Sequence, residues 1–456
     1  MNGVFIFRRD YRVEDNTGLN KMLESCKQVL PIFIFNPNQI EESKNKYFSN
    51  NCVQFLCESL VELDKALKKL GSRLYIFYGE LTKVLEEIDK KYNIDTIGIN
   101  IDYTPYSKKR DSCLENYCNK KGIELEKSED ITLYPIDSIH SNSGSVYKVF
   151  TPFFNMASSI PYRKVEPIIQ PQKLAVNYSF SSEMAIKNIG KFYSENKNIA
   201  VRGGRTNALK ILDNLKRFKN YSKDRDFPSI QTTRLSAYLK FGCISIREYM
   251  TAVEEQLGRS NSLFKQGYWR EFYYNIANSF PQVFGHAFKE KYDSIPWENN
   301  EEWFDKWCSG ETGCPLVDAG MRELNTTGYM HNRCRMVTAM FLTKDLLVDW
   351  RWGEHYFATQ LVDYDPCQNN GGWQWSASTG TDSQPYFRIF NPYSMTEKVD
   401  PDAEYIKKWI PELKDVDPSD LYKWEDKYNK YKVNYPKPIV NHSVQRDKTL
   451  KIFKSI

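Results

Sequence analysis

Met1-Asn2-Gly3-Val4-Phe5-Ile6-Phe7 opens the chain, and Arg8 and Arg9 follow it directly. The apolar run is far short of the roughly 20 residues a membrane helix needs. No basic segment precedes it, so it reads as a first strand and not as a signal peptide. Outward from it, a polar turn leads to an amphipathic segment near Leu19–Leu23, and Val29–Phe35 is the next strand. Pro31 lacks a ladder donor and fits the start of that strand better than its middle. Cys52–Leu70 repeats apolar residues at helical spacing through Val53, Leu56, Leu60, Leu63 and Leu67. Leu74–Tyr78, a helix around Leu81–Tyr92 and a strand over Thr96–Ile101 continue the rhythm. Strands alternating with helices predict an α/β domain with a mostly parallel sheet over residues 1–130. No G-x-G-x-x-G follows the first strand, so nothing supports a dinucleotide site there.

Residues 131–205 break the rhythm. Ser138-Ile139-His140-Ser141-Asn142-Ser143-Gly144 and Pro167-Ile168-Ile169-Gln170-Pro171 predict a long ordered linker, with one helix within Ser181–Tyr193. From 206 to 450 the pattern is helical, as in Ala208–Phe218, Ile246–Gln256, Gly267–Asn278, Asp318–Leu324 and Arg333–Leu347. These faces imply a large all-helical domain, with a basic end after Arg446 that frays. A chain of 456 residues with 41% hydrophobic content is a globular protein of more than one domain. The net charge of +5 is too small to indicate a nucleic-acid partner by itself. Ten Cys without a C-x-x-C or a paired His/Cys rhythm exclude a zinc module and predict free thiols in an intracellular compartment, cytoplasm or nucleus.

Several stretches carry more. Thr232-Thr233-Arg234-Leu235-Ser236 sets hydroxyls at the mouth of a helix, where side chains and open N–H groups can cap the helix or hold phosphate. Asp363 and Asp365 flank Tyr364, as a solvated acidic pair would. Asn369-Asn370-Gly371-Gly372 looks like a turn. Trp269-Arg270-Glu271-Phe272-Tyr273, Met330-His331-Asn332-Arg333-Cys334-Arg335-Met336, Asn369 through Asp382 and Tyr386-Phe387-Arg388-Ile389-Phe390-Asn391-Pro392 complete the set, with Arg8-Arg9-Asp10-Tyr11-Arg12 near the start. In order and spacing this ensemble resembles the photolyase/cryptochrome family along nearly the whole chain, and most of all its class I cyclobutane pyrimidine dimer photolyases.

The resemblance implies an N-terminal antenna domain, a linker and a helical FAD-binding body. It assigns Tyr221, Thr232, Thr233, Arg234, Leu235, Ser236, Arg270, Asn332, Arg335, Asp363, Asp365 and Asn369 to the cofactor. Arg335 would pair with Asp363 against the isoalloxazine ring, and Asp365 would lie near its polar edge. Asn369 would face N5, where an amide can serve a protonated or an unprotonated nitrogen by presenting oxygen or nitrogen. Trp307, Trp350 and Trp373 would relay electrons from the surface to the flavin in that order. Gln266, Trp269, Asn332, Arg333, Met336, Trp375 and Arg388 would meet UV-damaged DNA, the indoles packing against a dimer flipped from the duplex. Gln266 and Asn369, with the three relay indoles, are the candidate catalytic residues.

The chain departs from the pattern at Gln266, where the dimer enzymes carry Glu and the (6-4) photolyases tend to carry Gln. The two histidines that (6-4) repair needs are replaced by Asn332 and Met336, neither of which transfers a proton as imidazole does. Repair of cyclobutane dimers is therefore the expected activity, with a signalling cryptochrome and a (6-4) photolyase as alternatives. The antenna site lacks the acidic residue of folate-binding members in Asp102-Tyr103-Thr104-Pro105-Tyr106. A folate, a deazaflavin, another flavin or no second chromophore all stay open. No metal is expected, no membrane partner, and a monomer.

Overall fold

Five strands form one sheet in which every pairing is parallel, in the order β3-β2-β1-β4-β5. They are β1 (Asn2–Ile6), β2 (Gln28–Phe35), β3 (Tyr75–Tyr78), β4 (Thr96–Asn100) and β5 (Glu124–Ser128). The helices Thr17–Ser25, Asn50–Lys69, Leu81–Tyr92 and Pro105–Lys121 carry the chain between successive strands. Asn16, Ser49 and Thr104 cap three of them through side-chain oxygens, satisfying donors that a first turn leaves open. Val4, Ile6, Leu30, Ile32, Phe77, Ile97 and Ile99 make the core of this layer. β5, on the sheet edge, is charged at Glu124, Glu126 and Lys127, which discourages pairing with another chain.

Pro31 lies inside β2 and not at its start, which corrects the sequence expectation. The ladder shows why it is tolerated. Ile32 O accepts from Phe7 N on the β1 side, so the ring nitrogen of Pro31 faces the other way. β3 pairs with β2 only from Ile32 onward, so no ladder donor is missed at Pro31.

The structure, a computed structural model, describes residues 1–456, and the chain forms two units. The first holds Met1–Asn196, Val201–Lys219 and Thr233–Pro281. A buried ion network ties it internally: Arg12 to Asp130 at 2.6 Å, and Arg247 to Asp15 at 2.7 Å and to Asp130 at 2.8 Å. Burial pushes the Asp130 carboxyl up, but the two guanidiniums prevail and hold it far below the usual range. The second unit holds Lys197–Ala200, Asn220–Thr232 and Gln282–Ile456 and is helical throughout.

Three expectations change in detail. The helix within Ser181–Tyr193 is present as a 3-10 helix over Ile186–Phe192. The helix expected through Leu347 ends at Met340 and passes into a wider turn over Phe341–Asp345. The C-terminus does not fray: His442–Ser455 is a helix that buries Thr449 and Phe453. All ten cysteines are free, no group of His, Cys, Asp and Glu could hold a metal ion, and no helix is long and apolar enough to cross a membrane.

Candidate functional site

Asn369-Asn370-Gly371-Gly372 is not a turn. It lies inside the helix Pro366–Ala377 of the second unit. The start of that helix is strongly specified. Asp365 Oδ1 accepts from Cys367 N at 3.0 Å and from Gln368 N at 3.4 Å, and Pro366 is pre-set for the first position. Asn370 and Gln374 then donate side-chain bonds to Val283 O, and Gln374 a further one to His286 O. These ties override two mid-helix glycines, each costing about 1 kcal/mol against Ala. Gly372 is exposed, and a Cβ placed there would meet no atom within 4 Å, so the helix presents a bare strip of backbone.

Asn369 stands one turn before Trp373 on this helix. Its Nδ2 donates to both the backbone oxygen and the Oε1 of Glu354, each at 3.0 Å. Burial pushes the Glu354 carboxyl up to about 7 against the pull of the Asn369 amide. With its nitrogen committed, the amide has Oδ1 to offer a third group. Glu354 was not among the sequence candidates. It follows Trp350 by four residues, one helical turn, and that periodicity was the signal available for it.

The helix Asn332–Met340 supplies the next group. Arg335 donates to both oxygens of Asp363, at 3.0 and 3.1 Å, and to Met330 O at 2.8 Å. Asn332 is exposed at the helix start, with Nδ2 3.6 Å from Met336 Sδ. Arg333 forms an ion pair with Asp226, a partner the sequence did not suggest. Tyr221 and Thr232 belong to the same unit, and burial pushes the Tyr221 phenol up to about 12. Trp375 is half-buried near the end of its helix, while Arg388 is exposed on the following loop beside Phe387.

The indoles are arranged differently from expectation. Trp373 is buried against the helix Trp350–Gln360, where a Cβ on Gly353 would lie 2.1 Å from its ring. Trp350, Gly353 and Phe357 share a face by helical spacing, and Phe357 meets Trp373 at 4.9 Å between ring centroids. Trp307 is 0% exposed and packs beside Trp373 at 6.0 Å, so it does not lie at the surface as expected of it. Phe304, Tyr356 and Phe357 enclose it. Trp297, which sequence reasoning missed, is half-buried at the margin of this core. Its neighbours Glu298 and Asn299 bond to the 347–349 segment that leads into Trp350.

In the first unit, Thr233-Arg234-Leu235 leads into a short helix over Ser236–Lys240 whose start has no side-chain cap. Arg234 adopts a positive φ of 52°, and Thr233 is buried. Gln266, Trp269 and Arg270 lie on the helix Ser262–Ser279. Trp269 stacks on Phe150, with ring centroids 3.6 Å apart and planes 5° from parallel. Arg270 donates to Ile131 O at 2.7 Å and lies 4.7 Å over the Tyr274 ring, which spends part of its guanidinium on the linker. Glu271 accepts from Leu133 N at 2.7 Å, and burial pushes its carboxyl up to about 7. Glu271 of the W-R-E-F motif is thus a bracket between helix and linker.

The residues present suit a flavin dinucleotide. In the second unit, bare backbone at Gly372 admits a flat ring, and Asn369 and Arg335 offer an amide and a cation. In the first unit, taken by itself, the helix start at Ser236 is flanked by hydroxyls, as a phosphate-holding segment is.

Residues 263–455 match the family model described as the FAD binding domain of DNA photolyase, and residues 3–172 match the DNA photolyase model. The deoxyribodipyrimidine photo-lyase of Alkalihalophilus pseudofirmus is 36% identical, covering 98% of this chain and 97% of its own. That of Escherichia coli is 33% identical, with 98% of both covered. Among solved structures, an archaeal photolyase from Sulfolobus tokodaii with two FAD molecules superposes with a TM-score of 0.90 at 43% identity, covering 100% of both chains. A class III photolyase from Agrobacterium tumefaciens gives 0.90 at 30% identity, covering 100% of this chain and 97% of its own. A cryptochrome from Synechocystis gives 0.88 at 27%, covering 99% of both.

Proposed function

The chain belongs to the photolyase/cryptochrome family, and from that membership we propose that it is a DNA photolyase that splits cyclobutane pyrimidine dimers with light and FAD. The observation that carries this reading is Asn369 held by Glu354 beside the bare backbone at Gly372. Bound FAD supplies light absorption and the transferred electron. The protein's part is placement, desolvation and control of protons.

Asn369 would address N5 of a bound flavin. With Glu354 taking its Nδ2 hydrogens, Asn369 offers Oδ1 as an acceptor. The Glu354 carboxyl, pushed up to about 7 by burial, would add a titratable proton beside that amide, whose orientation the Glu354 backbone oxygen fixes. Arg335, Asp363, Asp365, Asn332, Tyr221 and Thr232 of the second unit would hold FAD, the first three at the ring and the last two at the diphosphate, and by family membership Thr233, Arg234, Leu235, Ser236 and Arg270 of the first unit are proposed for the same cofactor. Trp373 and Trp350 would relay electrons toward a bound flavin in its preparatory reduction. Trp297 replaces Trp307 as their outer partner, because Trp307 is closed off from solvent.

Gln266, Trp269, Asn332, Met336 and Trp375 receive the flipped dimer, with Trp269 fixed in orientation by its stack on Phe150. Arg333 and Arg388 take backbone phosphates, and Arg333 exchanges Asp226 for phosphate as DNA binds. The functional division is 1–130 for the antenna, 131–205 for the linker and 206–450 for the catalytic body. A second flavin in the N-terminal domain is the reading favoured by the two FAD molecules of the Sulfolobus tokodaii relative. The crevice beyond the ends of β1 and β4, where the strand order reverses, is the general place for such a ligand.

Gln266 alone favours the second reading, (6-4) repair. A dark complex with an oligonucleotide carrying one cyclobutane dimer tests the choice. Illumination of the reduced holoprotein should release that oligonucleotide, because repair destroys the ligand. Persistence of the complex in light would count against dimer repair.

A further inference from the structure

We propose that Trp307 and Tyr356 form a second route for oxidising equivalents, branching from Trp373 and ending on a phenol. The inference rests on the flavin reading above and concerns residues that reading leaves without a task.

Trp307 is wholly buried, and its ring lies 6.0 Å from Trp373 and 5.7 Å from Tyr356, at interplanar angles of 70° and 66°. Phe357 fills the angle, 5.9 Å from Trp307 and 4.9 Å from Trp373. The three redox-active rings therefore form a contiguous path inside one unit. Packing accounts for a large side chain in this core. It does not account for the hydrogen bonds at each end of the path.

Trp307 Nε1 donates to Thr338 O at 3.1 Å, whereas the indole nitrogens of Trp350 and Trp373 are buried without a protein partner. An indole that has lost an electron is a cation, and its N–H becomes a stronger donor. A carbonyl already in place stabilises that cation through a charge-assisted bond. A positive charge arriving on Trp373 is therefore better accommodated on Trp307. Tyr356 completes the path. Its hydroxyl lies 2.8 Å from Asn325 Oδ1 and 3.1 Å from Cys308 O, and the Asn325 contact is at the exposed edge.

The step balances as follows. Trp373 would give one electron to an oxidised flavin bound in the loaded protein and excited by light. Trp307 refills Trp373, and Tyr356 refills Trp307. The Tyr356 O–H bond breaks, its proton passes to water at the Asn325 edge, and a neutral phenoxyl remains. An added thiol reductant later returns the electron and a proton. Loss of the proton slows back-transfer, which gives the branch its use.

The test uses full-length FAD-loaded protein with oxidised flavin, read by electron paramagnetic resonance and transient absorption after a light flash. A tyrosyl signal is expected in the parent and a larger one in Trp297→Phe, where the other route is blocked. The signal should vanish in Tyr356→Phe and in Trp307→Phe. Flavin photoreduction should persist in Trp297→Phe and slow several-fold when Tyr356→Phe is added. Tyr356→Phe removes one hydroxyl at an exposed edge, so it serves even if the buried Trp307→Phe does not fold. A parent that photoreduces its flavin with tryptophan radicals alone, or a tyrosyl signal unchanged in Tyr356→Phe, overturns the branch and leaves the functional reading intact. A parent whose bound flavin cannot be photoreduced overturns both.

Discussion

Glu354 is the residue through which pH enters the site. Its carboxyl stays protonated in the fold up to about 7, whereas in the unfolded chain it ionises above its ordinary 4.5. The unfolded state therefore sheds this proton first, and stability falls as pH rises through that window, then levels off. Glu354→Gln keeps an oxygen for Asn369 and removes the titration. It should unfold at higher urea than the parent near pH 8, by roughly 2–3 kcal/mol, and show little difference near pH 5; equal gaps at both would contradict the buried neutral acid. At the substrate side, Gln266→Glu should change the quantum yield of dimer splitting, and an identical yield would remove Gln266 from the reaction. Gln266 and Asn369 could be singled out from sequence because each stands at a fixed offset from a motif. Glu354 and Asp226 could not, since a carboxylate in sequence does not declare which distant amide or guanidinium will meet it. Trp307 was expected at the surface for a related reason: spacing marks where an indole falls in the chain but not how deeply the fold buries it.

At the scale of elements, the helix Pro366–Ala377 shows tertiary ties overruling local preference. Read locally, Asn-Asn-Gly-Gly is a turn. In place, the Asp365 cap and the Gln374 bonds to Val283 O and His286 O keep it helical. Gly372→Ala should stabilise the flavin-free chain by up to about 1 kcal/mol, the helix preference of Ala over Gly, and at the same time weaken retention of FAD. Thermal melts and flavin release measured together would reveal it, and tighter FAD binding would contradict the role given to the bare strip. Gly353→Ala should act in the opposite sense. The added methyl would press into the Trp373 ring, costing about 1–3 kcal/mol as overpacking does, and urea unfolding reads it directly. Pro31 is the sheet counterpart, acceptable mid-strand only because β3 is not yet paired at that point. Such compensations depend on neighbours in space, so periodicity could give the elements and not these exceptions.

For the whole molecule, the alternation of strands and helices and the long helical remainder were enough to place a parallel α/β layer ahead of a helical body, because apolar periodicity is a local property that survives into the fold. The partition into two units was less legible. Residues 233–281 fall with the sheet-bearing unit, joined through buried contacts such as Arg247 with Asp15. The second chromophore belongs to this scale as well. Chromophore released from purified protein should amount to two FAD per chain, and a single FAD, or a folate or deazaflavin, would contradict a flavin antenna. The most direct test of the central reading is photorepair by the reduced holoprotein, with defined cyclobutane dimers and (6-4) products in separate DNAs, illuminated against dark controls. The prediction is loss of cyclobutane dimers in light alone, with (6-4) products untouched. Repair confined to (6-4) products, or repair of neither by protein that holds and photoreduces its flavin, would contradict it.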